Sequence, residues 1–241
     1  MVDLQTDEEK AEAIKKWWKE NGLAVVSGVV IGLAAIFGWR AWVGYQEQRG
    51  QQASLAFEEL MVTVSQVSNM PPAQGGVASE SDPAEPGGSA AGQARDSLLS
   101  VATEQQSRLS ENHGSTAYEY FGQLALAKAR NDQSQSAAAA EALRAAIDQA
   151  PTPLLKTLAG LRLARVLIGI QDYAAAGAVI DQHDNNESFA ADFAALRGDI
   201  ALAEDRIEDA RAAYRQALEG DVAAAGLIEL KLQDLPPPAG S

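Results

Sequence analysis

Residues 164–180 read ARVLIGIQDYAAAGAVI, and residues 198–214 read GDIALAEDRIEDARAAY. The two stretches align without a gap at an offset of 34 residues. Each opens on a small residue, carries an alanine in its second half and ends on a large apolar side chain. These positions are Ala164, Ala176 and Ile180 in the first copy and Gly198, Ala210 and Tyr214 in the second. A fixed period of this length indicates stacked helix pairs that bury a continuous core.

A third, weaker copy lies 37 residues earlier, with Ala127, Ser136, Ala139, Leu143 and Ala146 at the matching positions and Pro151 closing it. The period and the residue pattern resemble the tetratricopeptide repeat. Small residues let the two helices of a repeat approach closely, while large apolar residues fill the gap to the next repeat. The sequence therefore predicts an all-α fold, with a tetratricopeptide-like α-solenoid domain at 95–235 whose repeats run from about 115 to 219.

Apolar spacing near 3.6 residues predicts helices over 96–109, 115–130, 136–149, 153–170, 173–183, 188–203, 207–219 and 222–233. Thr152 before Pro153 and Asp221 before Val222 are predicted N-caps. Residues 222–235 should cap the C-terminal end of the solenoid, and 96–109, with the helix that precedes it, should cover the N-terminal end.

An uncharged segment precedes the repeats: residues 21–39 read NGLAVVSGVVIGLAAIFGW. As a helix at about 1.5 Å per residue it spans roughly 28 Å, the thickness of a bilayer core. Aromatic residues flank both ends, at Trp17, Trp18, Trp39, Trp42 and Tyr45, where interfacial rings are typical. No small-residue cleavage site follows, so we predict a single transmembrane helix at 21–42 that stays attached and contacts membrane lipid.

Basic residues set the expected orientation. Lys10, Lys15, Lys16 and Lys19 precede the apolar segment, and Arg40 and Arg49 follow it. The excess on the N-terminal side predicts a cytoplasmic segment at 1–20 and a bacterial inner-membrane protein with its C-terminal domain in the periplasm.

Small residues recur on one face of the apolar segment, at Ala24, Gly28 and Gly32. Such a stripe lets a second membrane helix approach closely. Plain membrane-helix composition is the alternative explanation, so these residues are a candidate helix contact.

Residues 43–70 are predicted as a helical extension, and 71–94 reads PPAQGGVASESDPAEPGGSAAGQA, a low-complexity stretch predicted as a flexible loop. It is either a linker or an insertion between two helices that pair across it, and the apolar face of 46–67 favours the second reading. Residues 236–241 are predicted as a tail.

Composition excludes several function classes. The net charge of −14 disfavours nucleic acid as a partner, and the absence of cysteine excludes zinc ribbons and thiol chemistry. The two histidines, His113 and His183, lack metal-ligand spacing and are interpreted as turn residues, and the polar cluster at 181–187 as a solvated turn. We therefore expect no catalytic residue, cofactor or metal site, and an interaction module instead of an enzyme.

Four short motifs resemble the YfgM family: ENG at 20–22, GWRAW at 38–42, LRLARV at 161–166 and ALRGD at 195–199. The stretch at 71–94 is longer than the family connection and is interpreted as an insertion. The resemblance implies an ancillary subunit of the SecYEG translocon that associates with a PpiD-type periplasmic chaperone. It also implies help in passing unfolded secreted polypeptides to that chaperone. A scaffold for envelope assembly or cell division is the alternative.

The positions that line the concave face in tetratricopeptide repeats give the candidate peptide-binding groove. They fall on Phe121, Leu124, Lys128, Asn131, Leu158, Leu161, Arg165, Ile168, Asp192, Asp199 and Leu202. Apolar members would supply affinity, and Lys128 and Arg165 would bind carboxylates or carbonyls. The alternative is that Leu124, Leu158 and Leu161 are partly core residues and the others a solvated face.

The lysine excess yields the first prediction. A reporter that is active only in the periplasm, fused after Ser241, should be active, because the positive residues hold the N-terminus in the cytoplasm. The same reporter fused before Met1 should be inactive. The reverse pattern would invert the topology.

Overall fold

The structure, a computed structural model, describes residues 7–70, 87–114, 116–222 and 224–237. It forms two compact units, Met1–Gln52 and Ala53–Ser241. Every regular element in the described residues is helical: α1 Asp7–Ser68, α2 Gly87–His113, α3 Ala117–Asp132, α4 Ser136–Asp148, α5 Pro153–Gly169, α6 Tyr173–His183, α7 Ala190–Ala203, α8 Ile207–Glu219 and α9 Ala225–Asp234, with a 3-10 turn at Glu187–Phe189. The predicted all-α class is confirmed.

In the first unit, α1 carries the apolar segment. Ile31 and Phe37 within it are 68% and 67% exposed. The rings of Trp39 and Trp42, near its C-terminal end, lie 5.3 Å apart between centroids and are tilted by 39°. A core helix of a water-soluble domain would bury these side chains, so this segment is a candidate membrane span.

In the second unit, the end of α1 packs with α2 and α3. Leu60, Val64 and Val67 of α1 form a buried cluster with Leu99 of α2 and Leu126 of α3. Two polar links reinforce it: buried Gln133 donates to the Val67 carbonyl at 3.2 Å, and Gln106 donates to the Glu119 carbonyl at 3.2 Å. The two helices that flank the long connection therefore belong to one core.

The predicted loop at 71–94 needs a correction, because α2 already begins at Gly87. Between Pro86 and the end of α2 the sequence contains no proline, and the alanines at 90, 91 and 94 favour helix, so α2 extends about two turns ahead of its apolar face. Residues 71–86 lie outside the described residues.

The predicted repeat pairs are α3 with α4, α5 with α6 and α7 with α8. Their turns share one backbone conformation: Ser134, Gln171 and Asp205 have positive φ of 62°, 64° and 60°. In each turn the following N–H bonds back into the first helix, as Asp172 does to the Leu167 carbonyl at 2.9 Å and Arg206 does to the Ala201 carbonyl at 2.8 Å. The three positive-φ residues are separated by 37 and 34 residues along the chain, which matches the predicted repeat register.

The structure shows one of the two predicted N-caps. Thr152 accepts a hydrogen bond from the Leu155 N–H at 3.3 Å ahead of Pro153, as predicted. The predicted cap at Asp221 is wrong, because α9 begins at Ala225 and Val222 is buried against the last repeat instead of opening the helix. Burial of Val222 fixes the chain before the helix can start.

Each repeat buries a small residue of its first helix and a large residue of its second. Ala127 and Ala164 are buried, as are Leu143 and Ile180, the large residues at the matching positions of α4 and α6. In the third repeat the pair is Gly198 with Tyr214, and a Cβ at Gly198 would lie 2.5 Å from the tyrosine ring. The larger partner therefore requires glycine where the other repeats have alanine.

Gly198→Ala should lower the free energy of unfolding by about 1–3 kcal/mol, because the added methyl group overlaps the Tyr214 ring. Gly177→Ala in α6 is the matched control, since its Cβ meets open space and alanine favours helix by about 0.5–1 kcal/mol. Denaturation of the full chain in detergent, followed by far-UV circular dichroism, measures both. Equal tolerance of the two substitutions would contradict the close approach.

Candidate functional site

A cleft lies between α3 and α5, with α4 at its floor, and has a volume of about 290 Å³. We call it the α3–α5 cleft. Its lining residues are Leu124, Ala127, Lys128, Asn131, Leu143, Arg162, Arg165 and Val166. Four of the predicted groove residues, Leu124, Lys128, Asn131 and Arg165, thus share one surface.

Two hydrogen bonds fix the helices that border the cleft. The buried Tyr120 of α3 donates its hydroxyl to the Leu155 carbonyl of α5 at 2.7 Å. On the other side of α5, Arg165 donates to the Asp192 carboxylate of α7 at 2.8 Å. Burial raises the pKa of Tyr120, against a smaller opposing effect from Arg162, so the hydroxyl stays a donor.

The apolar members of the predicted groove divide into exposed and buried residues. Phe121 and Leu202 are 40% and 37% exposed, and Leu158 and Ile168 are half-buried. Leu161 is only 2% exposed and packs in the core cluster, which favours the core alternative for this residue. Leu124 lines the cleft but is only 8% exposed, so it lies at the floor of the cleft and not at its rim.

Arg162 lines the cleft, although the groove positions did not include it. It lies one turn before Arg165, and side chains three apart share a helix face. That spacing is the signal that could have identified it.

The interpretation of His183 as a turn residue is wrong. It ends α6, is 4% exposed, and its ring lies where a Cβ at Gly160 would be 2.7 Å away. Burial, with a smaller contribution from Lys156, lowers the pKa of His183, so the neutral form is favoured. The solvated-turn reading of 181–187 is also incomplete, because Arg197 pairs with Asp184 and Asp181.

Among the described residues, no group of three or more His, Asp or Glu side chains is placed to hold a metal ion. The second histidine, His113, ends α2, with its Nδ1 buried. The polar side chains of the α3–α5 cleft are three cations and an amide. This arrangement is suited to binding groups with hydrogen-bond acceptors.

A family model described as a tetratricopeptide repeat-like domain matches residues 15–237. The chain belongs to this family. The match includes the apolar segment as well as all three repeats, so the family describes the chain as a whole.

Curated relatives carry the name "Ancillary SecYEG translocon subunit". The protein from Escherichia coli (strain K12) is 28% identical over 237 residues, 98% of this chain and 99% of the relative. The protein from Haemophilus influenzae is 26% identical over 230 residues, 95% and 97% of the two chains, and that from Aggregatibacter actinomycetemcomitans is 27% identical over 230 residues, 94% and 93%. The resemblance to the YfgM family is thereby confirmed. No solved structure is a significant match.

Asp199, another predicted groove residue of this repeat protein, is held in a structural cluster. It accepts hydrogen bonds from the Tyr214 hydroxyl at 2.7 Å and from Lys231 of α9 at 2.6 Å. Burial, the hydrogen bond to Asp199 and its charge raise the pKa of Tyr214. Asp199 therefore joins the last repeat to the capping helix.

Asp199→Ala should lower the free energy of unfolding by about 1–3 kcal/mol, because it removes the acceptor of the buried Tyr214 hydroxyl. Asp132→Ala is the control: its pair with Lys128 is solvent-exposed and should contribute less than about 1 kcal/mol. Denaturation of both variants in detergent measures the difference. A cost no larger than that of the control would return Asp199 to the groove set.

Proposed function

We propose that this protein is an anchored interaction module of the bacterial inner membrane that associates with the SecYEG translocon. The observation that carries the proposal is the reach of the alignment with the translocon subunits, 94–98% of this chain. It covers both the exposed apolar segment of α1 and the repeats. This chain and the translocon subunits therefore have both the apolar segment and the repeat domain in common.

The proposed orientation places the N-terminus in the cytoplasm and the repeats in the periplasm. Lys15, Lys16 and Lys19 precede the apolar segment of α1, whereas the residues that follow it up to Gln52 include only Arg40 and Arg49 as basic side chains. This distribution supports the orientation. The repeats would then stand on the side where secreted chains emerge.

In this proposal the repeat domain receives unfolded secreted polypeptides and passes them to a PpiD-type periplasmic chaperone. The α3–α5 cleft supports it, since apolar and cationic side chains lie side by side there. An extended segment offers both apolar side chains and backbone carbonyls, and such a surface can bind both. Neither contact requires a fixed sequence.

The Ala24, Gly28 and Gly32 stripe is the proposed docking seam for a translocon helix. A Cβ at Gly28 or Gly32 would meet nothing within 4 Å, so the face is open. Gly28→Leu with Gly32→Leu should reduce co-purification of translocon subunits several-fold, because the leucines block close approach.

The control for this variant is Ser27→Leu with Ala34→Leu, which adds similar bulk about 100° or more around the helix from the centre of the stripe. Co-purification from gently solubilised membranes should then stay at the wild-type level. Undiminished recovery in both variants would mean that the stripe is not the seam, and recovery of division proteins in place of translocon subunits would favour the scaffold function.

Lys128→Glu with Arg165→Glu should sharply reduce crosslinking of emerging polypeptide to the repeat domain, because both cations line the α3–α5 cleft. Arg108→Glu with Arg144→Glu is the matched control. It makes the same charge change and also breaks two exposed ion pairs, away from the cleft. Thermal unfolding checks that both variants fold. Equal crosslinking in the two would place the binding surface elsewhere.

A further inference from the structure

The polar lining of the α3–α5 cleft consists of hydrogen-bond donors. Lys128, Arg162 and Arg165 have no acceptor atoms. The fourth polar residue, Asn131, has one acceptor, and its Oδ1 already receives a hydrogen bond from the Ser136 hydroxyl at 3.0 Å. A ligand of the cleft must therefore bring acceptors.

The charges around the cleft do not cancel. Lys128 pairs with Asp132, and Arg165 pairs with Asp192 at 2.8 Å. Within the part of the chain that the structure describes, Arg162 forms no ion pair. One guanidinium thus remains uncompensated at this site, in a protein whose net charge is −14.

The floor beside these donors is apolar. Leu124, Ala127 and Leu143 are almost fully buried there, and Val166 is half-buried. An aliphatic side chain of a ligand would cover this floor and leave an adjoining acidic group at the donors.

We propose that the α3–α5 cleft selects acidic segments of extended polypeptide, in which a glutamate or aspartate carboxylate binds Arg162 and a neighbouring aliphatic side chain covers Leu124 and Leu143. Charge complementarity supports an acidic peptide over a neutral one, because charge-assisted hydrogen bonds to guanidinium are about twice as strong as neutral ones. Among the described residues, Arg162 is the one cleft cation without an ion pair, and the protein as a whole is acidic. The cleft therefore suits a single carboxylate and not a polyanion. The inference rests on the proposed function, since it takes polypeptide as the ligand.

Two labelled peptides test the selection on the full chain in detergent. One is a capped octapeptide of leucine and serine with a single glutamate two positions from a leucine, so that both side chains lie on one face of the extended peptide, and the other has glutamine in place of that glutamate. Fluorescence anisotropy at low salt should show about tenfold tighter binding of the glutamate peptide. The preference should shrink as ionic strength rises, because the paired groups are exposed to solvent.

The variant Arg162→Gln assigns the preference to this side chain. It should reduce the glutamate preference to about threefold or less and leave the affinity for the glutamine peptide unchanged. Arg144→Gln is the control, an exposed arginine of α4 that pairs with Glu141 and does not line the cleft. It should retain the full preference. Because Arg162 is exposed, both variants should melt like the wild type.

Equal affinity for the two peptides would overturn the acidic selection. If that common affinity still falls in Lys128→Glu with Arg165→Glu, the cleft binds polypeptide as proposed and only the selection is wrong. An equal loss of preference in Arg162→Gln and Arg144→Gln would also overturn the assignment, because it would show a general charge effect. If neither peptide binds, the inference is overturned. Translocon association is decided separately, by co-purification.

Discussion

The repeat domain depends on the close approach of two helices within each repeat. A small residue on the first helix meets a larger one on the second, as Gly160 meets His183 and Gly198 meets Tyr214. Protein interiors tolerate neither voids nor overlaps of a methyl group, so the sizes of the two residues must complement each other. This constraint sets the spacing of the helices and, through it, the width of the surface that α3, α5 and α7 present.

The turn inside each repeat enforces the same geometry at the backbone level. Ser134, Gln171 and Asp205 adopt the left-handed conformation that usually favours glycine or asparagine. Each turn accepts this cost because its N–H groups satisfy carbonyls at the end of the first helix. Three different residues at one position show that the hydrogen-bond pattern, and not a particular side chain, defines the turn.

Sequence periodicity predicted the six repeat helices and their register, because small residues recurring at a fixed offset reflect a packing rule that repeats. Periodicity could not predict positions where a large residue replaces a small one and a second substitution elsewhere makes room for it. His183 stands where the other repeats have Ala146 and Ala217, and only the contact with Gly160 explains how a large side chain fits. Such a pair lies on two helices and breaks the pattern at both positions, so neither residue is informative alone.

The candidate surface was partly predictable for the same reason. Lys128, Asn131 and Arg165 occupy exposed positions that the register determines, and the structure brings them together at one cleft. The surroundings of Leu161 and Asp199 were not predictable, because a register position does not specify what a side chain meets. Leu161 turns into the core, and Asp199 meets Tyr214 and Lys231.

The cleft also separates local from overall charge. An acidic protein repels other acidic chains at a distance, but at about 0.15 M salt this repulsion decays over roughly 8 Å. Within contact distance the three cations of the cleft dominate, and the carboxylates of Asp132 and Asp192 compensate only two of them. An emerging segment would therefore be held where the local field is favourable and released where the surrounding acidic surface repels it. In the proposed function, this local attraction would bind an acidic segment despite the overall charge of the protein.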